Sequence, residues 1–412
     1  MNFKLTKQEK KWILYDVGNS AFVLLVSTII PIYFNSLAES AGLSSVEYLA
    51  YWGYAASAAT LVVALLGPIL GSVSDRQGRK KLLFMACVLL GAVCCLALGF
   101  VKGWLVFLAL FVIAKAGYSG SLIFYDSMLA DITEKERMDN VSSCGYAWGY
   151  IGSCLPFLLC LGLVLGADWL GISMQAAMML SFFIVAVWWI GCTVPLLRIY
   201  RQRHYVKDTR WQNDLARLWQ TIKEAVKNKQ ILLFILAFFF YIDGVYTIID
   251  MATAYGTALG FDTAGLLLAL LATQVVAFPA SILIGRLSQK KKASHLITVC
   301  IIAYFGIAVF AMFMSSQLHF WILAVAVGLF QGGIQALSRS HFAKMIPPEK
   351  SGEYFGLLDI CGKGASFLGT LTVSLVSQLT KNANLGVGAI AIFFVIGLIL
   401  FQRSVSLQRK TM

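Results

Sequence analysis

"GSVSDRQGRKK", residues 71–81, puts four basic residues and one acid into eleven positions of a chain in which only 13% of residues are charged. The apolar runs on either side explain why the charges gather there. The 412 residues are 59% hydrophobic with a mean hydropathy of +0.78, more apolar surface than a soluble core can hide. Runs of bilayer-spanning length, about 20 residues each, recur near 13–34, 48–72, 82–101, 104–126, 141–164, 174–197, 230–256, 264–285, 295–314, 320–342, 354–378 and 385–402. The expectation is an all-α, multi-pass membrane protein of twelve helices, and 71–81 is the turn between the second and third.

With the N-terminus inside, 29 of the 33 Lys and Arg fall in cytoplasmic loops or tails, so the positive-inside bias places both termini in the cytoplasm and the chain in the cell (inner) membrane. The basic N-terminus leads into an apolar run too long for a signal-peptide core, and the first span is read as uncleaved. The net charge of +13 sets topology and meets anionic lipid; nucleic acid needs no invoking. The nine cysteines all lie in apolar runs, where they pack as small apolar residues, and the four histidines show no metal-ligand spacing. No metal, no cofactor and no catalytic constellation of nucleophile and base are expected, nor any phosphate-binding loop of an ATP-driven pump.

The chain repeats itself. "PILGSVSDRQGRKK" ends the second span and "SILIGRLSQKKK" the eighth, and matching Gly71 to Gly285 gives an offset of 214. After the fourth and tenth spans, matching Ala130 to Ala343, Arg137 to Lys350 and Gly149 to Gly362 gives 213. Two loops at one shift describe two six-helix bundles in the same orientation, the parallel repeat of a rocking-bundle transporter. The expected division is 1–197 and 230–412 for the bundles and 198–229 for a cytoplasmic linker. In that linker Leu215, Leu218, Ile222 and Val226 recur at helical spacing between basic residues, as in an amphipathic helix lying on the inner leaflet.

Gly71, Asp75, Arg76, Gly78, Arg79 and Lys80 fit the G-x-x-x-D-R-x-G-R-K loop of the major facilitator superfamily, in the place where that superfamily carries it. Resemblance to that superfamily implies its two-bundle fold and a latch role for this loop when the cavity opens outward. The second copy lacks the acid and the second glycine, having Gln289 and Lys290 within "GRLSQKKK", which argues against an equivalent latch there. "WILYDVGNSAF" (12–22), "RMDNVSSCGYAWGYIG" (137–152), "FYIDGVYTIIDMATAYG" (240–256) and "GGIQALSRSHFAKMIPPEKSGEYFG" (332–356) together resemble the bacterial relatives of the vacuolar amino-acid effluxer family. That resemblance implies a multi-pass transporter and suggests export of amino acids.

Ionisable groups deep in a span are costly and so are candidates for function. Asp243, near the middle of the seventh span, reads as a proton carrier, a direct cation ligand or half of a structural ion pair. Asp250 is on the same face but nearer the outer end, where solvation is an equal reading. Lys115, mid-depth in the fourth span, either holds a substrate carboxylate or is paired in the core. Gln331, Gln335 and Arg339 form one stripe of the tenth span, suited to a water-filled path or to gluing helices. Asp16 and Asn19 share a face of the first span with Ser20. Asp126 and Arg339 are related by the 213 offset and would form a gate pair, while Asp359 and Lys363, four apart, would neutralise one another. A cavity offering Asp243, Lys115, Asn19, Tyr118, Gln331 and Gln335 would suit a zwitterion, each ligand charge gaining a partner. The reading is a monomeric secondary transporter, in contact with lipid and with protons as a candidate coupling ion; the alternatives are a lipid-handling scramblase or a receptor without flux.

Overall fold

The structure, a computed structural model, describes residues 3–207 and 213–411. Its first half holds α1 (Lys7–Ser27), α2 (Ile29–Ser40), α3 (Ser45–Ser74), α4 (Arg79–Leu98), α5 (Trp104–Ser127), the single turn α6 (Leu129–Ile132), α7 (Met138–Leu165) and α8 (Met174–Ile199). Then come α9 (Asn213–Lys227), α10 (Lys229–Ala258), α11 (Thr263–Leu287), α12 (Ala293–Ala311), α13 (Gln317–Met345), α14 (Ser351–Thr380), α15 (Ala383–Gly388) and α16 (Ala391–Thr411). Among the described residues eleven segments are long and apolar enough to cross a bilayer. With α14, 30 residues long and apolar over Leu368–Thr380, the set is consistent with twelve spans.

Helix limits follow local chemistry. Thr6 with Glu9 and Ser44 with Glu47 form capping boxes at the starts of α1 and α3, and Ser173, Asp262 and Ser316 cap α8, α11 and α13. Gly78, at φ 74°, takes the left-handed conformation that turns α3 into α4. The first span departs from the single run expected over 13–34. It breaks at Thr28 (φ −130°, ψ −67°), three residues before Pro31, which has no N–H to continue the ladder.

In the first bundle α1 packs on α7 and α8, and α5 on α3 and α4; in the second, α13 packs on α11 and α12, and α10 on α14 and α16. The bundles meet where α3 lies along α14, α7 along α11 and α13, and α5 against α14. The α3/α14 and α7/α11 joins are each other's images under the sequence repeat. Large apolar side chains such as Leu61, Leu65, Leu155, Leu283 and Ile302 are exposed, while Asp16, Asp75, Lys80, Asp243, Arg339 and Glu353 are buried. That arrangement, apolar outside and charged along the seam, is what a bilayer solvent requires.

Candidate functional site

The charged residues gather along the seam. At the face carrying the 71–81 loop, here the basic face, Asp75 ends α3 and its carboxylate reaches the other bundle. It accepts the backbone N–H groups of Gly352 (2.8 Å) and Glu353 (2.9 Å) at the start of α14. An acid of one bundle thus caps a helix of the other, satisfying N–H groups that have no partner within their own helix. Such an approach needs bare backbone: a Cβ on Gly71 would collide with the carbonyl oxygen of Gly352. Lys80, fully buried, donates to Ser351 Oγ at 2.8 Å and lies 3.5 Å from Asp75 and 3.9 Å from Asp131. Burial pushes the Asp75 carboxyl up to about 6, against the opposing pull of Lys80 and the two N–H groups. Arg76 pairs with Asp214 of α9 at 2.6 Å, and Arg79 is exposed.

Two features of this face were not visible in the sequence. Asp131 accepts the backbone N–H groups of Arg203 and His204, the Tyr200 hydroxyl (2.6 Å) and His204 Nδ1 (3.1 Å), fastening the start of the linker. Burial alone would raise its carboxyl, but the His204 bond, Lys80 and Tyr200 outweigh it and hold Asp131 below the usual range, while the same bond raises His204. The second is how α9, the helix in the expected linker, docks on the two bundles. Arg217 bonds to Glu353 of α14 and to the carbonyl oxygen and hydroxyl of Ser72 on α3, and Thr221 to Glu353. Leu218 is buried, while Leu215, Trp219 and Val226 stay exposed. The polar residues of the α9 inner face, interleaved with its leucines, were the signal for this docking.

At the second join Gly285 faces Ser143, where a Cβ would come within 2.7 Å of Cβ. The Ser143 hydroxyl and the Asn140 side-chain nitrogen are buried there without a hydrogen-bond partner among the described residues. Among the described residues no acid of α11 caps α7. Asp139 instead turns to α13, accepting from Ser340 (2.7 Å) and pairing with Lys344 (2.7 Å).

Further from the basic face, Arg339 of α13 enters the first bundle. It pairs with Asp126 at 2.9 Å and lies 3.6 Å from Asp16, and its Nε and Nη2 donate to the hydroxyl and carbonyl of Ser142. Its guanidinium carbon sits 4.4 Å, 4.7 Å and 5.4 Å from the ring centres of Tyr146, Trp12 and Tyr125, within cation–π range. The expected pair Asp126–Arg339 is therefore joined by Asp16, and Asp16 is held in turn by the Tyr125 hydroxyl at 2.7 Å. Asn19 reaches the Tyr15 carbonyl and Asp16. That Trp12 and Asp16 lie four apart on one helix face was legible; that they meet α13 was not.

At mid-depth Tyr150 donates to Gln335, and Gln331 lines a small cavity of about 40 Å³ with Thr273, Gln274 and Ile248. Tyr118 packs its ring on Phe22 and Trp189 within the first bundle. The Lys115 charge acts on Asp250 of α10, in the other bundle. Asp243 is fully buried, with Oδ1 accepting from Thr247 Oγ1 (3.2 Å) and Gly369 N (3.0 Å), while Oδ2 has no partner among the described residues. Asp359 acts electrostatically on Asp126, and the Lys363 side chain lies outside the described residues.

Two repeat-related helical bundles joined along a charged seam are the architecture of a major facilitator transporter. Solved structures agree on the fold. A human organic anion transporter, MFSD10, matches with a TM-score of 0.73 at 14% identity over 96% of this chain and 99% of that one. A bacterial homologue of the iron transporter ferroportin, in its outward-facing state, matches with 0.72 at 17% identity, over 97% and 99%. The chain belongs to the vacuole effluxer Atg22-like family, whose model matches residues 6–412. The MFS-type transporter YxiO of Bacillus subtilis is 42% identical over 404 residues, covering 96% of this chain and 94% of that one. Autophagy-related protein 22-1 of Sclerotinia sclerotiorum is 25% identical over 64% of this chain and 49% of its own length. This chain thus spans about half of that fungal relative. It is a transporter and a multi-pass membrane protein, not an enzyme.

Proposed function

We propose that the protein moves a small zwitterion of the amino-acid class across the cell membrane by alternating access, with residues 1–197 and 230–412 as the moving bundles, 198–229 as their linker, and the basic face and both termini cytoplasmic. The substrate class is supported by a base on α5, Lys115, whose charge acts on an acid of the other bundle, Asp250 of α10, two groups of the kind that engage the two ends of a zwitterion. Asp250 takes the place that the sequence had suggested for Asp243. The joins at Asp75 and Arg339 lie between that pair and the basic face, so the seam is closed on one side of it. The effluxer name of the family favours export.

Asp243 serves proton coupling: its carboxylate is fully buried, Oδ2 has no hydrogen-bond partner among the described residues, and the Thr247 and Gly369 contacts hold the other oxygen. The test is counterflow in proteoliposomes carrying an internal pH dye, with a panel of amino acids and betaines. A zwitterion is expected to drive proton movement that Asp243→Asn abolishes while leaving uncoupled exchange. Silence across the panel from folded protein sinks the substrate class, and unchanged proton flux in Asp243→Asn sinks the coupling role.

A further inference from the structure

Every described polar partner of Arg339 belongs to the other bundle. Asp16 and Trp12 come from α1, Tyr125 and Asp126 from α5, Ser142 and Tyr146 from α7. The arginine is thus a plug from the second bundle in a socket that the first bundle builds by itself. The socket is shaped to receive it. A Cβ on Gly145 would run into the Asp16 carboxylate and come within 3.1 Å of Arg339 Nη2 and 3.2 Å of the Trp12 ring, so glycine there keeps the recess open. Two acids face one base, with three aromatic rings around it.

Alternating access requires the bundles to part at the basic face, and Arg339 then leaves with α13. Its departure would leave the buried Asp16 and the partly exposed Asp126 beside three rings without their base. Two carboxylates so placed favour another cation in its stead. Aromatic walls with a carboxylate floor are the chemistry that recognises organic cations, planar guanidinium above all.

We propose that the socket of Asp16, Asp126, Trp12, Tyr125 and Tyr146 is a binding site for a small organic cation with a guanidinium-like head, which Arg339 occupies as a tethered surrogate while the basic face is closed. This rests on the alternating-access reading and goes beyond it: the socket is a cation site separate from Lys115 and Asp250 and nearer the basic face. A solute's cationic end takes the socket when Arg339 withdraws, and the return of Arg339 displaces it. Closure of the basic face and release of the cation are then one event.

The test uses the purified full-length chain and ethylguanidinium chloride, with sodium chloride at equal ionic strength as the reference. Arg339→Ala and, as a second vacated form, Arg339→Gln are expected to bind ethylguanidinium at least ten-fold more tightly than Arg339→Ala/Asp126→Asn by calorimetry. They should also regain thermal midpoint in its presence, where wild type gains none. In proteoliposomes, the single variants Trp12→Ala and Asp126→Asn, with Arg339 kept, are expected to raise the agmatine concentration for half-maximal exchange about ten-fold over wild type. Folded Arg339 variants that bind ethylguanidinium no better than the double variant overturn the socket, as does agmatine exchange indifferent to Trp12 and Asp126. Binding by the Arg339 variants without exchange of any solute by wild type upholds the socket and removes the transport reading beneath it.

Discussion

The two joins between the bundles occupy equivalent places in the repeat, yet they are built differently. At α3/α14 the glycine contact is fastened by a buried acid, a buried lysine and the α9 helix laid across both partners. At α7/α11 the glycine contact has no capping acid from α11, and two polar atoms beside it have no hydrogen-bond partner among the described residues. Without a hydrophobic drive between helices in lipid, close packing and satisfied polar groups decide how tightly a join holds. The α3/α14 join is fastened by charges of its own, whereas α7 relies on α13 for its polar partners, Ser340, Lys344 and Arg339.

Removing the α3/α14 fastening should have the largest effect. Asp75→Ala leaves two helix N–H groups and the Lys80 charge buried without their acid, and loss of one partner from such a set costs about 3–5 kcal/mol. A lower thermal midpoint and faster labelling of a cysteine placed at Ser351 would show it. Gly71→Ala follows, because its Cβ meets the backbone of α14, which can yield only if the helix moves. Gly285→Ala presses on the Ser143 side chain instead and should lower the midpoint less; equal losses would erase the contrast between the joins. Asp139→Ala, which removes the partly exposed Lys344 pair, is expected to cost about 1 kcal/mol or less. Ser143→Ala deletes a hydroxyl that bonds to nothing described and should be neutral or slightly stabilising.

The smallest effect is that of pH. The Asp75 carboxyl titrates near 6 in the closed join and lower when solvated, so the closed form binds a proton that the opened form does not. Closure therefore gains as pH falls from about 6 toward 4, and Asp75→Asn should flatten that response in the labelling assay. His204 and Asp131 bracket the linker contact. The raised histidine contributes below its unfolded value near 6.5 and is lost as pH rises through its folded value; the lowered aspartate contributes above its unfolded value and is lost in acid. His204→Ala should shift protease susceptibility of residues 200–206 on the acid side of neutrality only.

The sequence was informative where the bilayer itself sets the pattern. Span lengths, the repeat offset and the 71–81 loop all express local rules of hydropathy and turn chemistry, and the two-bundle fold follows from them. Within the site, Asp126 and Arg339 could be paired because the repeat relates them. Faces could not be fixed, since a few degrees of helix rotation decide which of Asp243 and Asp250 looks across the seam. The roles of Glu353, Asp131 and Gly145 depend on contacts between helices far apart in the chain, for which no local pattern exists.

The break at Thr28 gives the first span two allegiances. Below it α1 travels with α7 and α8, carrying Trp12 and Asp16; above it α2 rests on α3 and α5, with Tyr33 and Phe34 against Phe107. One membrane crossing is thereby divided between two sets of neighbours, with an elbow at the change of hands. Asp16 and Trp12 of the arginine socket thus sit on one limb of the span, and the ring contacts with Phe107 on the other.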